Sequence, residues 1–244
     1  MNACDRTRGE AACCCVSVPR ADIRRFFRIV GMPSFLARFS LSKEDRAALE
    51  QIVASEWEQF GEVNGMDGRA SCQDDAQGFF AYRVAQYVSF PREGLVPICE
   101  DIVRARSDGR NVVQEKYARM MAQTDPAAYD RVWRPRLREP SPVKAQALHE
   151  VASLIRGFAV TAATELPHAH AHGRVDESVP GAVSACDYYL AEIAGYSLRT
   201  LYRLRDGLLR LRREGANPVS DTYANSVLIL KALEVGSYGK AGKR

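Results

Sequence analysis

A chain of 244 residues suits one large domain or two small ones, and its 46% apolar and 26% charged content are those of an ordinary globular protein. The 34 basic and 30 acidic residues leave a net charge of +4, too weak to call for a nucleic-acid partner. No run of about 18 apolar residues occurs, so no membrane span is expected. Cys4, Cys13, Cys14 and Cys15 crowd the N-terminus, while Cys72, Cys99 and Cys186 stand alone. That pattern is neither a disulfide framework nor a Cys-x-x-Cys zinc site, and free thiols in a reducing cytoplasm are expected. Residues 1–40 read as an extension. Arg6 and Arg8 ahead of AACCCVSV make a run at the short limit for a signal peptide. Organised sequence is expected from near Ser34, so either translation starts at Met32 or the extension is poorly ordered.

Ser42-Lys43-Glu44-Asp45 is a capping-box-like start, with Asp45 in place of Glu or Gln, and opens a predicted helix over 42–60. Leu49, Ile52, Val53 and Phe60 fall on one face at helical spacing. Glu56 shares that face, where a carboxylate has to be paired, half exposed or functional, because burying a lone charge is costly. Asn64–Gly68 is a loop by composition. A second helix is predicted from about Cys72 to Ser89, a third over roughly 92–107, and a fourth from Asn111 to Asp125-Pro126. Glycine at 109 supplies the left-handed end of the third. Residues 125–142, rich in Pro and Arg, read as a linker with one short helical turn at Pro126–Trp133. Helices follow over about 143–165, 181–195, 198–214 and 218–235, with a frayed tail at 236–244. No stretch alternates with period two, so the expected fold is an all-α helical bundle.

The helices count four, a linker, then four, and the halves match in sequence. Gly109, Asn111, Val113, Tyr117 and Ala118 coincide at one offset with Gly215, Asn217, Val219, Tyr223 and Ala224. Val53-Ala54-Ser55 with Phe60 sits over Val151-Ala152-Ser153 with Phe158, and Gly68-Arg69 recurs as Gly173-Arg174. Two related four-helix units, 41–124 and 143–235, are therefore expected about a pseudo-two-fold axis. Asn111 and Asn217 survive in both copies, as backbone-capping residues should. SCQDD has no counterpart, Glu115-Lys116 becomes Asp221-Thr222, and Arg119 becomes Asn225. Polar chemistry is thus concentrated in the first half.

GRASCQDD (68–75) followed by GRN-x-x-x-EKYARMM (109–121) resembles the signature of a bacterial family, domain-of-unknown-function family 4125. Glu56-Trp57-Glu58-Gln59-Phe60 fits its EW-x-x-F pattern, and GYSLRTL (195–201) resembles its TYS-x-RTL. The resemblance covers roughly 42–235. It implies an outline and no mechanism, and the HAHAH run lies outside the pattern.

In GRASCQDD, Ser71 and Asp74 can form a capping box, with Asp74 and Asp75 favouring the helix dipole. That leaves Arg69 and Cys72 unexplained. Cys72 at a helix N-terminus would gain thiolate character, opposed by the two aspartates. Asp75, Phe79, Tyr82 and Gln86 share a stripe with Arg83 beside it, and with Glu56 they converge on either a buried network or a polar pocket. In the later motif, Glu115 and Arg119 are an i,i+4 pair, and Lys116 is a candidate buried acid–base group. His168, His170 and His172 are weak candidates for a metal, with adventitious surface binding as the plainer reading. Arg199, Arg203, Arg205, Arg210, Arg212 and Arg213 load one helix, most simply as a solvated face.

The reading with most support is a small-molecule or anionic-ligand binding protein with a polar pocket in the first unit. Cys72, Asp75 and Glu56 are its candidate catalytic residues, and Arg69, Asp74, Arg83, Glu115, Lys116 and Arg119 its ligand-binding ones. No cofactor is assigned. The competing reading is a non-enzymatic helical scaffold whose partner is another protein.

Overall fold

The computed structural model describes residues 21–29, 31–63, 71–167, 178–179 and 182–241, with the backbone alone at 21–22, 71–72 and 234–241. The described residues form an all-α bundle, and the nearest approach to a strand is a single bridge between Val179 and Ala182. The helices are α1 Ala21–Phe27, α2 Met32–Ala37, α3 Lys43–Gly61, α4 Ala76–Ser89, α5 Leu95–Ser107 and α6 Val112–Thr124. After the single turn α7 Pro126–Ala128 come α8 Pro142–Glu165, α9 Ala185–Ile193, α10 Leu198–Glu214 and α11 Pro218–Ala241. No helix among the described residues is long and apolar enough to cross a membrane.

Local sequence explains most starts and stops. The Ser42 hydroxyl accepts the amide of Asp45 and the Asp45 carboxylate accepts the amide of Ser42, a complete capping box for α3. Ser141, Ser184 and Ser197 cap α8, α9 and α10 in the same half-box manner. Gly109 (φ +70°) and Gly215 (φ +72°) end α5 and α10 in the left-handed conformation. The next amides reach back alike, Arg110 to the Ala105 carbonyl at 2.9 Å and Ala216 to the Leu211 carbonyl at 3.0 Å.

Three stretches differ from the expectations above. The helix expected from Cys72 begins instead at Ala76, after a 3-10 turn over Ser71–Asp74; Asp75, not Ser71, is its N-cap and accepts the Gly78 amide at 2.9 Å. Organised structure reaches back past Ser34 to Ala21. Ile23, Phe26, Phe27, Met32, Phe35 and Leu36 are too apolar to be left in water and are buried in the common core, with Phe26 set edge-on to Phe80. At the other end, the backbone of α11 stays helical to Ala241, where fraying had been expected from 236.

One apolar core runs through both halves, from Leu49, Ile52 and Val53 to Leu201, Leu204 and Leu208. The packing repeats with exchange. In the first half α3 packs on α4, α5 and α6; in the second, α8 packs on α9, α10 and α11. Between halves α4 packs on α11, and α6 on α9. Asn111 donates to the Gln59 carbonyl at the end of α3, and Asn217 to the Phe158 carbonyl on α8. Helices approach closely where α10 crosses the turn before α5: a Cβ on Gly207 would lie 2.3 Å from Pro91 Cβ. Gly207→Ala should therefore lower stability by about 1–3 kcal/mol through overpacking, read by denaturant unfolding.

Candidate functional site

Arg83 is the one charged residue in the apolar run GFFAYRVAQYV of α4, and it is buried. It has four partners, two on other helices and two on α4 itself. On α3, Glu56 sits on the core face with Ile52, Val53 and Phe60, and receives Arg83 Nε on Oε2 at 2.7 Å and Nη2 on Oε1 at 2.6 Å. On α9, Glu192 receives Nη1 on Oε2 and Nη2 on Oε1, both at 2.9 Å. Nη1 also donates to Gln86 Oε1 at 2.7 Å, and Nη2 to the Tyr87 hydroxyl at 2.6 Å. All five guanidinium N–H groups therefore have acceptors in reach, two of them through bidentate carboxylates.

Lys116, on α6, adds the fourth charge. Its ammonium donates to Glu192 Oε2 at 2.7 Å and lies 3.6 Å from the centroid of the Tyr188 ring. Glu192 Oε1 further accepts Gln86 Nε2 at 3.1 Å and the Tyr196 hydroxyl at 3.2 Å. Five donors thus surround a carboxylate with about four lone-pair sites. Glu56 is less crowded: besides Arg83 it accepts the Tyr87 hydroxyl on Oε1 at 2.7 Å, which leaves capacity on Oε2. Two carboxylates against one guanidinium and one ammonium make the cluster neutral, and none of the four is more than 8% exposed.

Electrostatics follow from that crowding. Burial alone would raise the pKa of Glu192, but Arg83 and Lys116 outweigh it and hold the acid well below the usual carboxylate range. Burial would strip Arg83 of its proton, and the two carboxylates instead bind that proton more firmly than usual. Burial pushes the phenols of Tyr87 and Tyr196 well up.

A cavity of about 20 Å³ lies against this cluster, room for about one water molecule. Its floor is Glu56, Arg83, Lys116 and Glu192; its rim includes the half-buried Phe79, Val112, Tyr117 and Tyr188. Phe60 stacks between Phe79 at 5.4 Å and Tyr117 at 5.9 Å, so one wall is aromatic. A smaller cavity of about 10 Å³ lies on the far side of Glu192 and Tyr196, lined by Gln86, Phe90, Tyr189 and Leu204 among others.

Of the residues singled out from sequence, the structure brings together Glu56, Arg83 and Lys116. Glu115 and Arg119 form a separate, half-buried ladder in which Arg110 clasps Glu115 at 2.6 and 2.7 Å and Arg119 reaches it at 3.2 Å. Burial opposes ionisation of Glu115, and Arg110 with Arg119 lowers its pKa overall. Asp74 and Asp75 are exposed and line neither cavity; Asp75 caps α4. Arg69, the Cys72 side chain and His168, His170 and His172 lie outside the described residues. Among the described residues no group of His, Cys, Asp and Glu is placed to hold a metal. On α10, Arg199, Arg205 and Arg210 pair with Glu100, Glu150 and Glu93, as a solvated face would. Sequence reading missed Glu192, Tyr87, Tyr188 and Tyr196. The signal that marked Glu56, a carboxylate on an apolar helical face, was also present at Glu192 in YYLAEI.

Arg83→Met leaves two buried carboxylates facing each other and should cost about 3–5 kcal/mol in denaturant unfolding. Arg106→Ala, which removes the half-exposed bridges to Glu58 and Glu62, should cost less than about 1 kcal/mol. The depressed acid of Glu192 sets a pH dependence. Its contribution is complete above the ordinary glutamate value of about 4.3 and is lost as pH falls toward the lower folded value, because the unfolded chain takes up the proton first. Glu192→Gln should flatten the decline of stability below about pH 4.3, followed by unfolding at a series of acid pH values.

No curated protein and no solved structure matches the chain. A family model described as protein of unknown function (DUF4125) matches residues 46–230. That span takes in every member of the buried charge cluster, and the chain belongs to this family.

Proposed function

We propose that the protein binds a small polar ligand at the cavity beside Glu56, Arg83, Lys116 and Glu192. The observation that carries the reading is the open acceptor capacity of Glu56 on the floor of a cavity that a charged cluster and an aromatic wall enclose. Four buried charges are a poor way to stabilise a bundle, since well-packed apolar residues of similar volume often do as well or better. Their retention favours use. In this reading Arg83 is structural, its donors being spent on the protein. Lys116 meets an anionic group, and Glu56 accepts a donor from the ligand, acting as general base where the ligand is turned over. Glu115 and Arg119 would enter only from their own ladder.

The exchanged packing supports a duplicated unit, 41–124 and 143–235, joined by the linker at 125–142. Under the sequence match Glu56 corresponds to Leu154 and Lys116 to Thr222, so the duplication leaves one charged site and one uncharged counterpart. The free thiol of Cys186 suits a reducing cytoplasm as the place of action.

A second reading, a helical scaffold with a partner protein, is favoured by one observation: every charge of the cluster is already compensated within the chain. The two readings separate in a thermal-shift screen of small acids, alcohols and amines against the parent and Glu56→Gln. Ligand binding predicts compounds that raise the parent midpoint by several degrees and leave Glu56→Gln unmoved. A screen in which no compound raises the parent, with a protein recovered by pull-down, supports the scaffold.

A further inference from the structure

We infer that Tyr188 is a second group, beside Glu56, that exchanges a proton with the ligand of this cavity and that Lys116 positions it, an assignment that rests on the ligand-binding reading above. Tyr188 and Glu192 are one helical turn apart on α9 and so share the face that α6 packs against. From α6, Lys116 reaches Glu192 with its ammonium and at the same time stands over the Tyr188 ring. Lys116 is only 6% exposed, so water does little to screen its charge from the ring. Tyr188 is the member of the Lys116–Glu192 group that remains half-buried at the rim, where a ligand entering past Phe79 and Tyr117 would meet it.

The other charges near this face are accounted for. Arg83 approaches from α4 and supports a phenolate, Glu192 on α9 itself opposes one, and Glu56 on α3 is clasped by Arg83. From α8, which also packs on α9, Lys144 donates to the Ala194 carbonyl and Arg156 lies 3.8 Å from Asp187. Burial alone would push the Tyr188 phenol up; Lys116 and then Arg83 more than offset it, and the phenol lies below its ordinary value. A phenol so placed gives up its proton more readily than a free one. The step is a bare transfer: an O–H or N–H bond of the ligand breaks as the Tyr188 Oη–H bond forms, or the reverse. No electrons change hands. The ligand class is a small molecule with an ionisable hydroxyl or ammonium group.

The test is a pH titration of protein labelled with ¹³C at the tyrosine ring, followed by NMR without any ligand. Of the ten tyrosines, one should titrate below the ordinary phenol value of about 10, and Tyr188→Phe should delete that signal. Lys116→Met should move it upward by about one unit or more, while Lys116→Arg, which keeps the charge, should leave it low. A Tyr188 signal at or above about 10 in the parent, or one that Lys116→Met leaves in place, overturns the assignment. If Lys116→Met does not fold, the parent, Tyr188→Phe and Lys116→Arg decide it on the same signal. Because no ligand is added, this result stands apart from whether the thermal-shift screen finds a binder.

Discussion

The bundle turns on one guanidinium. Arg83 is gripped from α3 by Glu56 and from α9 by Glu192, so a single side chain ties the first helix of one half to a helix of the other. The geometry is demanding, because each carboxylate must present both oxygens in the plane of the fork. It fixes the rotation of α4 and sets where α9 can lie against it. Lys116 then closes the arrangement by neutralising the second carboxylate. A neutral, hydrogen-bonded cluster of this kind contributes more to the choice of one packing than to its depth. The cavity beside it is held open by groups that cannot collapse into it without losing their partners.

Around this off-centre cluster the helices keep a near-symmetrical plan. The glycine that ends α5 and the glycine that ends α10 do the same work, as do the two asparagines that start α6 and α11 and reach back to α3 and α8. Backbone needs are therefore met twice by like residues. Charge is met once. The sequence match sets Glu56 against Leu154 of α8, which is buried among apolar neighbours. A plan with matched hinges and an unmatched interior allows the interior to be specialised on one side while the other side keeps the fold.

Much of the architecture was legible because helix punctuation and apolar spacing are local properties. Ser42 with Asp45, Gly109 and Asn111 marked ends that the folded chain uses. The start of α4 was misplaced because GRASCQDD contains two capping-competent residues, and a 3-10 turn takes up the stretch before Asp75 caps the helix. The burial of α1 and α2 was missed because short helices owe their existence to tertiary contact rather than to length. For the site, Glu56 and Lys116 were readable as charges on buried faces. Their pairing with Glu192 was not, since it depends on α6 crossing to α9 in the other half, which no spacing within either helix encodes.

That crossing also bears on how the chain comes into being. During synthesis α3 to α6 leave the ribosome with Glu56 and Arg83 able to meet, while Lys116 and the partner face of α6 wait for α9. The matching face of α4 waits longer still, for α11. Neither half can complete its burial alone, so the first half must persist as a partly open intermediate until the last helix arrives. Cleavage or stalling in the Pro- and Arg-rich connection would leave two fragments, each with an exposed groove shaped for a helix of the other. Co-expressed, such fragments would have every reason to find one another and rebuild the bundle without a covalent link.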